Sequence, residues 1–275
     1  MTYKTVMVHL DLEHYSEPAL RITRELADRF KADVIGVTAG LPNVPIHADG
    51  MIATSVLEAD YEQLNQAIGR CENHFRSALK DFSGSLEWRS DAAYPADFLA
   101  REARAADLLV VGRAENYATF GPQHLLEIGD AVMQAGRPVV VVPPRSTSLA
   151  LNRILIAWKD SAEARRVLPA ALPLLKQAKD LIIVEIVSGE SERETANARV
   201  ADVATWLQRH NVRASARVEL SAGDAGSQLD AIASEARIDL VVAGAYGHTR
   251  LREWMFGGVT RHMLQHSATC ALLMH

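Results

Sequence analysis

The residues best placed to do chemistry are four glycines near the end of the chain. Gly244, Gly247, Gly257 and Gly258 lie in the stretch that opens with Asp239-Leu-Val-Val-Ala-Gly244 and runs on to Phe256-Gly257-Gly258-Val259-Thr260. The apolar run reads as a buried strand that breaks at Gly244, turns through Gly247 and reaches the glycine pair at the mouth of a helix. Glycine admits positive φ and lets a ligand approach with no Cβ in the way. Backbone N–H groups freed at such a turn and at a helix start point at anions, so the chemistry implied is phosphate binding. His248 stands beside Gly247, Thr260 carries a hydroxyl two positions beyond Gly258, and Arg250 and Arg252 add positive charge to the loop between.

Further upstream, Trp158-Lys159-Asp160-Ser161 closes another apolar run, and Lys159 there can meet a phosphate as a point charge. His262 and His266 stand four apart and share a helix face, which is half of a zinc arrangement, but no third ligand is supplied and no metal site is assigned. Cys71 and Cys270 suggest no disulfide framework. The sequence contains no Ser-His-Asp constellation and no P-loop lysine with its following hydroxyl, so no catalytic residue is named.

The elements that must position these residues come from a repeat. Asp107-Leu-Leu-Val-Val-Gly112 recurs as Asp239-Leu-Val-Val-Ala-Gly244 at a shift of 132, and Pro138-Val-Val-Val-Val142 recurs at that shift as Cys270-Ala-Leu-Leu-Met274. Val6 to Asp11 answers Ile154 to Lys159 at a shift of 148. A duplicated α/β domain follows, residues 1–148 and 149–275, with the join at Pro143-Pro-Arg-Ser-Thr-Ser-Leu-Ala150. Short β-branched runs alternate with amphipathic stretches in both halves, as in parallel sheets wrapped by crossover helices. Strands are expected near 4–10, 33–38, 86–91, 107–112 and 138–142, then 153–158, 180–187, 212–220, 238–243 and 269–274. Helices are expected near 16–30, 56–82, 95–105 and 124–135, then 161–177, 191–210, 224–236 and 257–266. Each half should hold its own sheet, and one continuous sheet spanning 1–275 would sink the tandem reading. The extra length of the first half lies in a Pro/Gly-interrupted loop, residues 39–55.

The glycine spacing resembles the nucleotide loop of the universal stress protein family, G-x2-G-x9-G-[ST], with Gly244, Gly247 and Gly257 in register and Gly258 where ATP-binding members carry Ser or Thr. The resemblance implies two tandem five-stranded parallel-sheet domains, strand order 3-2-1-4-5, with the ligand at the carboxyl ends of strands 1 and 4. It further implies ATP or another adenine nucleotide, with Mg2+ only in its company, held by Lys159, Asp160, Gly244, Gly247, His248, Gly257, Gly258 and Thr260. Lys159 occupies the place of the family's aspartate, whereas the first half keeps that aspartate as Asp11 and lacks the glycines, having Glu115, Leu125 and Leu126 at the shifted positions. The first half is therefore read as structural or regulatory.

The leading reading is a stress-response binding module that works as an internal pseudo-dimer or a homodimer. A slow ATPase, with Asp160 or Asp11 positioning metal or water, and a ligand-free adaptor are the alternatives. A formal charge of −5 without a basic cluster argues against nucleic acid. The absence of a long apolar run or signal-peptide pattern points to a cytoplasmic chain without membrane contact.

Overall fold

The computed structural model describes residues 2–12, 15–42, 54–113, 124–246 and 258–275. The first half contributes β1 (Thr5–His9), α1 (Glu17–Phe30), β2 (Asp33–Ala39), α2 (Thr54–Ala78), β3 (Leu86–Asp91), α3 (Pro95–Glu102), β4 (Leu108–Gly112), α4 (Ile128–Gln134) and β5 (Val139–Val142). The second contributes β6 (Arg153–Trp158), α5 (Ala162–Leu175), β7 (Asp180–Val187), α6 (Arg193–Arg209), β8 (Ser215–Leu220), α7 (Ala225–Glu235), β9 (Leu240–Gly244), α8 (Gly258–Gln265) and β10 (Cys270–Met274).

The strands form one continuous sheet in the order β3-β2-β1-β4-β5-β10-β9-β6-β7-β8, which corrects the expectation of a separate sheet for each half. The cause is the composition of β5 and β10. Val139–Val142 is buried on both faces, as are Cys270 to Leu273, and an edge that apolar must be covered. The two edges cover each other in an antiparallel ladder, Val139 opposite Leu273, Val140 opposite Leu272 and Val141 opposite Ala271. The repeat persists inside the sheet. Both sets of five strands read 3-2-1-4-5 outward from their far edge to the seam, and all pairings other than the seam are parallel.

Helices cover both faces. Leu20 of α1, Phe75 of α2, Val167 of α5 and Val200 of α6 share one buried cluster with Val8, Ile154 and Ile183. Phe98 of α3, Val132 of α4, Leu229 of α7 and Met263 of α8 share the other with Met7, Leu155 and Val241.

The repeated Asp–…–Gly segment has the same work in each half. Asp107 accepts the backbone N–H groups of Lys4 and Thr5 at 2.7 and 3.1 Å, and Asp239 accepts those of Asn152 and Arg153 at 2.6 and 2.9 Å. Each thus ties the start of its strand 4 to the start of strand 1. Ser16 and Ser161 likewise cap α1 and α5, accepting from Ala19 and Ala164 at 3.3 and 3.2 Å.

One expected helix is misplaced. The stretch 124–135 is helical only from Ile128, because Glu127 holds an extended cap conformation and the backbone N–H of Leu126 turns away to Asp11 Oδ1 at 3.3 Å. Most of the 39–55 loop lies outside the described residues.

Because β10 is hydrogen-bonded to β5 on one side and β9 on the other, the two halves should melt together. Leu272→Ala, at a fully buried seam position, is expected to cost roughly 2–5 kcal/mol and to lower a single calorimetric transition. Two separated transitions would show that the seam does not couple the halves.

Candidate functional site

In the second half, the carboxyl ends of β6, β7 and β9 meet the first turns of α5 and α8 around a cavity of about 670 Å3. Such crevices form where connections leave neighbouring parallel strands in opposite directions. Lys159, Asp160, Gly244, Gly258 and Thr260 all line it. Five of the eight residues named from sequence are thus brought to one place. Gly247, His248 and Gly257 lie outside the described residues, as do Arg250 and Arg252.

Each residue reaches the cavity for a local reason. Lys159 and Asp160 follow the last residue of β6 and are exposed at its rim, where Asp160 pairs with Arg165 one turn into α5. Gly244 ends β9, and a Cβ there would stand 2.4 Å from the Ala164 backbone nitrogen. Its glycine is required by the close approach of α5, as Gly112 is by Ser16 in the first half. No positive φ is involved at Gly244. The left-handed residue is Tyr246, φ 63°, so the turn into the glycine loop is made by a side chain the sequence reading passed over. The Tyr246 backbone N–H points to the Thr260 hydroxyl at 3.5 Å, and Thr260 is buried. That hydroxyl therefore ties the end of the described loop entrance to α8.

Gly258 is exposed at the first residue of α8, where unpaired amides and the helix dipole favour an anion. A Cβ there would lie 3.2 Å from Asp224 Oδ1. Asp224 caps α7, and bonds from the Ser227 N–H and hydroxyl, both 2.8 Å, hold its carboxyl below the usual range. The anion seat is thus flanked by a fixed negative charge. His262 is occupied elsewhere, with Nε2 3.2 Å from Asp230. No group of three metal-ligating side chains occurs among the described residues.

Sequence reasoning also missed Glu185 and Arg199. Glu185, on β7, is buried in the cavity wall and accepts from Arg199 Nε on α6 at 3.1 Å, with a second contact from Nη2. A carboxylate in the middle of the run Leu181-Ile-Ile-Val-x-Ile-Val187 was the available signal.

The equivalent end of the first half is built differently. Asp11 is largely buried beside His9, Nδ1 to Oδ1 3.8 Å, and Leu126 is packed over it. Burial lowers His9 to about 3 and raises Asp11 to about 7, so the histidine is neutral and, among the described residues, no ion pair holds the carboxylate near neutrality.

Residues 150–274 match the universal stress protein family. This half is a universal stress protein domain. A universal stress protein of Synechocystis sp. is 24% identical over 162 residues, 58% of this chain and 54% of that protein. The chain therefore spans about half the length of that curated relative. Among solved structures, a universal stress protein from Archaeoglobus fulgidus superposes with TM-score 0.67 over 98% of this chain and 95% of its own, at 14% identity. A putative universal stress protein from Pseudomonas aeruginosa gives 0.64 over 99% and 93%, also at 14%. These two likenesses concern the fold alone, and they extend it across both halves.

Two outcomes follow. Gly244→Ala should destabilise the universal stress protein domain by roughly 1–3 kcal/mol, since backbone rather than a flexible side chain must move, and a melting curve superimposable on wild type would refute the packing role. Asp11 has a raised pKa, so its contribution to stability is fully present below about 4 and is lost as pH rises through about 7. The melting temperature of Asp11→Asn relative to wild type should therefore climb between pH 5 and pH 8. A constant difference over that range would show that Asp11 does not titrate there.

Proposed function

We propose that the chain is a nucleotide-responsive binding module whose ligand sits in the second-half crevice. The observation that carries this reading is the convergence of the α8 start, the end of β9 and the Lys159–Asp160 turn on one cavity of about 670 Å3, a volume suited to a nucleotide rather than to a bare phosphate. The phosphates would lie against the backbone of Gly258, with Gly247 and Gly257 completing the cradle and Lys159 at the rim. His248 and Thr260 complete the proposed set, Thr260 by bracing the loop. An adenine nucleotide is the ligand proposed, and Mg2+ would come with its phosphates, because Asp160 is already engaged by Arg165.

Among the described lining residues the carboxylates of Asp160 and Glu185 are engaged by Arg165 and Arg199, which supports binding without committed turnover. The domain division at 148/149, action as a pseudo-dimer through the β5–β10 seam and a cytoplasmic setting belong to the same proposal. Among the described residues, no helix is long and apolar enough to cross a membrane.

The test is an ATP titration by calorimetry at one salt concentration, wild type against Gly258→Ser. A hydroxyl donated to a charged acceptor contributes roughly 1.5–3 kcal/mol. Asp224 offers that hydroxyl a rival acceptor, so the lower end applies, about a tenfold gain in affinity. Absence of ATP binding in both proteins would overturn the nucleotide reading and leave the ligand-free adaptor in its place.

A further inference from the structure

A separate hollow of about 510 Å3 lies at the starts of the second-half strands, at the end of the sheet opposite the crevice. It sits beside the end of α7, and its charged lining is Arg153, Lys179 and Arg213 against Asp180. These residues are dispersed in the sequence and brought together by register: Arg153 pairs with Asp180, and Ile182, two residues on, pairs with Ser215. Alternation places Arg153, Asp180 and Ser215 on the same face as Ile182, which packs with Ile238 against the cluster that holds Leu155. Ile182 and Ile238 are half-buried and line the hollow, so an apolar wall lies beneath a cationic rim.

Arg153 is held in place, its Nε 3.5 Å from Asp180 and its Nη1 donating to the Ala236 carbonyl at 3.2 Å. Lys179 and Arg213 are exposed and carry no ion pair among the described residues. The first half shows that the strands do not need these cations. Thr5 pairs with Asp33 as Arg153 does with Asp180, and Ile35 pairs with Glu87 as Ile182 does with Ser215. In that frame Thr5, Ala32 and Ser85 stand where the second half has Arg153, Lys179 and Arg213, and Glu87 stands where it has Ser215. Asp33 also accepts the Ser85 N–H at 3.0 Å, which closes the start of β3 onto β2, whereas Asp180 turns to Arg153. The same framework is thus closed and uncharged at one end of the molecule and hollow and cationic at the equivalent place in the other half.

From this juxtaposition we infer a second ligand site, independent of the nucleotide reading, that takes a small organic phosphate monoester with a compact apolar body. A phosphate monoester carries nearly two negative charges close to neutral pH. It matches the two uncommitted cations, Arg213 as a forked donor and Lys179 as a point charge. The apolar body lies against Ile182 and Ile238. A volume of about 510 Å3 falls within the range of small-molecule sites. Bare phosphate leaves the apolar wall unused, and a neutral compound leaves both cations unmatched.

The experiment is calorimetry on the full chain at low ionic strength, with 1-naphthyl phosphate, 1-naphthoate, inorganic phosphate and 1-naphthol as probes. Wild type should bind 1-naphthyl phosphate saturably, and about tenfold or more tightly than each of the other probes. Lys179→Ala combined with Arg213→Ser copies the first-half residues at exposed positions, so it should lose about tenfold or more in 1-naphthyl phosphate affinity while the ligand-free melting temperature stays near wild type. Ile238→Ala, again the first-half residue, should weaken 1-naphthyl phosphate and leave inorganic phosphate unchanged. Lys159→Ala, at the rim of the crevice, is the control for location and should leave 1-naphthyl phosphate affinity as it is. No saturable binding by wild type, or undiminished binding by the double variant, would overturn the site. A loss in Lys159→Ala matching that of the double variant would place the probe in the crevice and refute the inference too. Inorganic phosphate or 1-naphthoate binding as tightly as 1-naphthyl phosphate would overturn the ligand class.

Discussion

The antiparallel pairing of β5 with β10 is the contact on which the rest of the molecule depends. Two four- and five-residue strands, buried on both sides and almost wholly aliphatic, would each be an exposed sticky edge in isolation. Joined, they turn two five-stranded sheets into a single ten-stranded one with covered faces and an unbroken apolar interior. Smaller contacts reinforce the join across the linker and the first helix. Glu25 accepts the Leu149 N–H at 2.8 Å, and the Tyr3 hydroxyl reaches the Ala170 carbonyl at 2.6 Å. The outermost strands β3 and β8 show the opposite treatment. Glu87, Arg89, Arg217 and Glu219 place charge along them, which discourages further sheet growth.

Within this frame the halves use one architecture for different ends. At the end of strand 1, the first half buries Asp11 and lays Leu126 over it, whereas the second leaves Lys159 and Asp160 exposed beside a cavity. The chain before helix α4 folds inward to a carboxylate, while α8 begins two positions earlier in the repeat frame and exposes Gly258. The difference is one of apolar filling. Leucine occupies the space in one half that glycine leaves open in the other.

Much of the fold was legible because the repeat and the β-branched runs are local signals, and the strand expectations for β2, β3, β6 and β7 lie within a residue of those observed. The seam was not, because no local pattern tells whether two apolar edges will pair with each other or with a second chain. At the site, spacing identified Gly244 but not the packing that requires it. Gly244 answers a steric demand from Ala164, and the positive φ belongs to Tyr246. Neither can be read from spacing, since both depend on how α5 packs on β9. Glu185 was legible in principle as a charge set between apolar residues in the middle of a strand, yet its partner Arg199 is 14 residues away on a helix whose facing is set only by the completed fold.

The antiparallel sense of the seam has a spatial consequence. Strands in the two halves run in opposite directions, so their carboxyl ends open at opposite rims of the sheet. The cavity at one rim and the leucine-filled end at the other are separated by the length of the strands. The protein is therefore vectorial: among the described residues the open crevice lies at one pole and the buried contact of Asp11 with Leu126 at the other, so that an event at the first leaves the second sterically free.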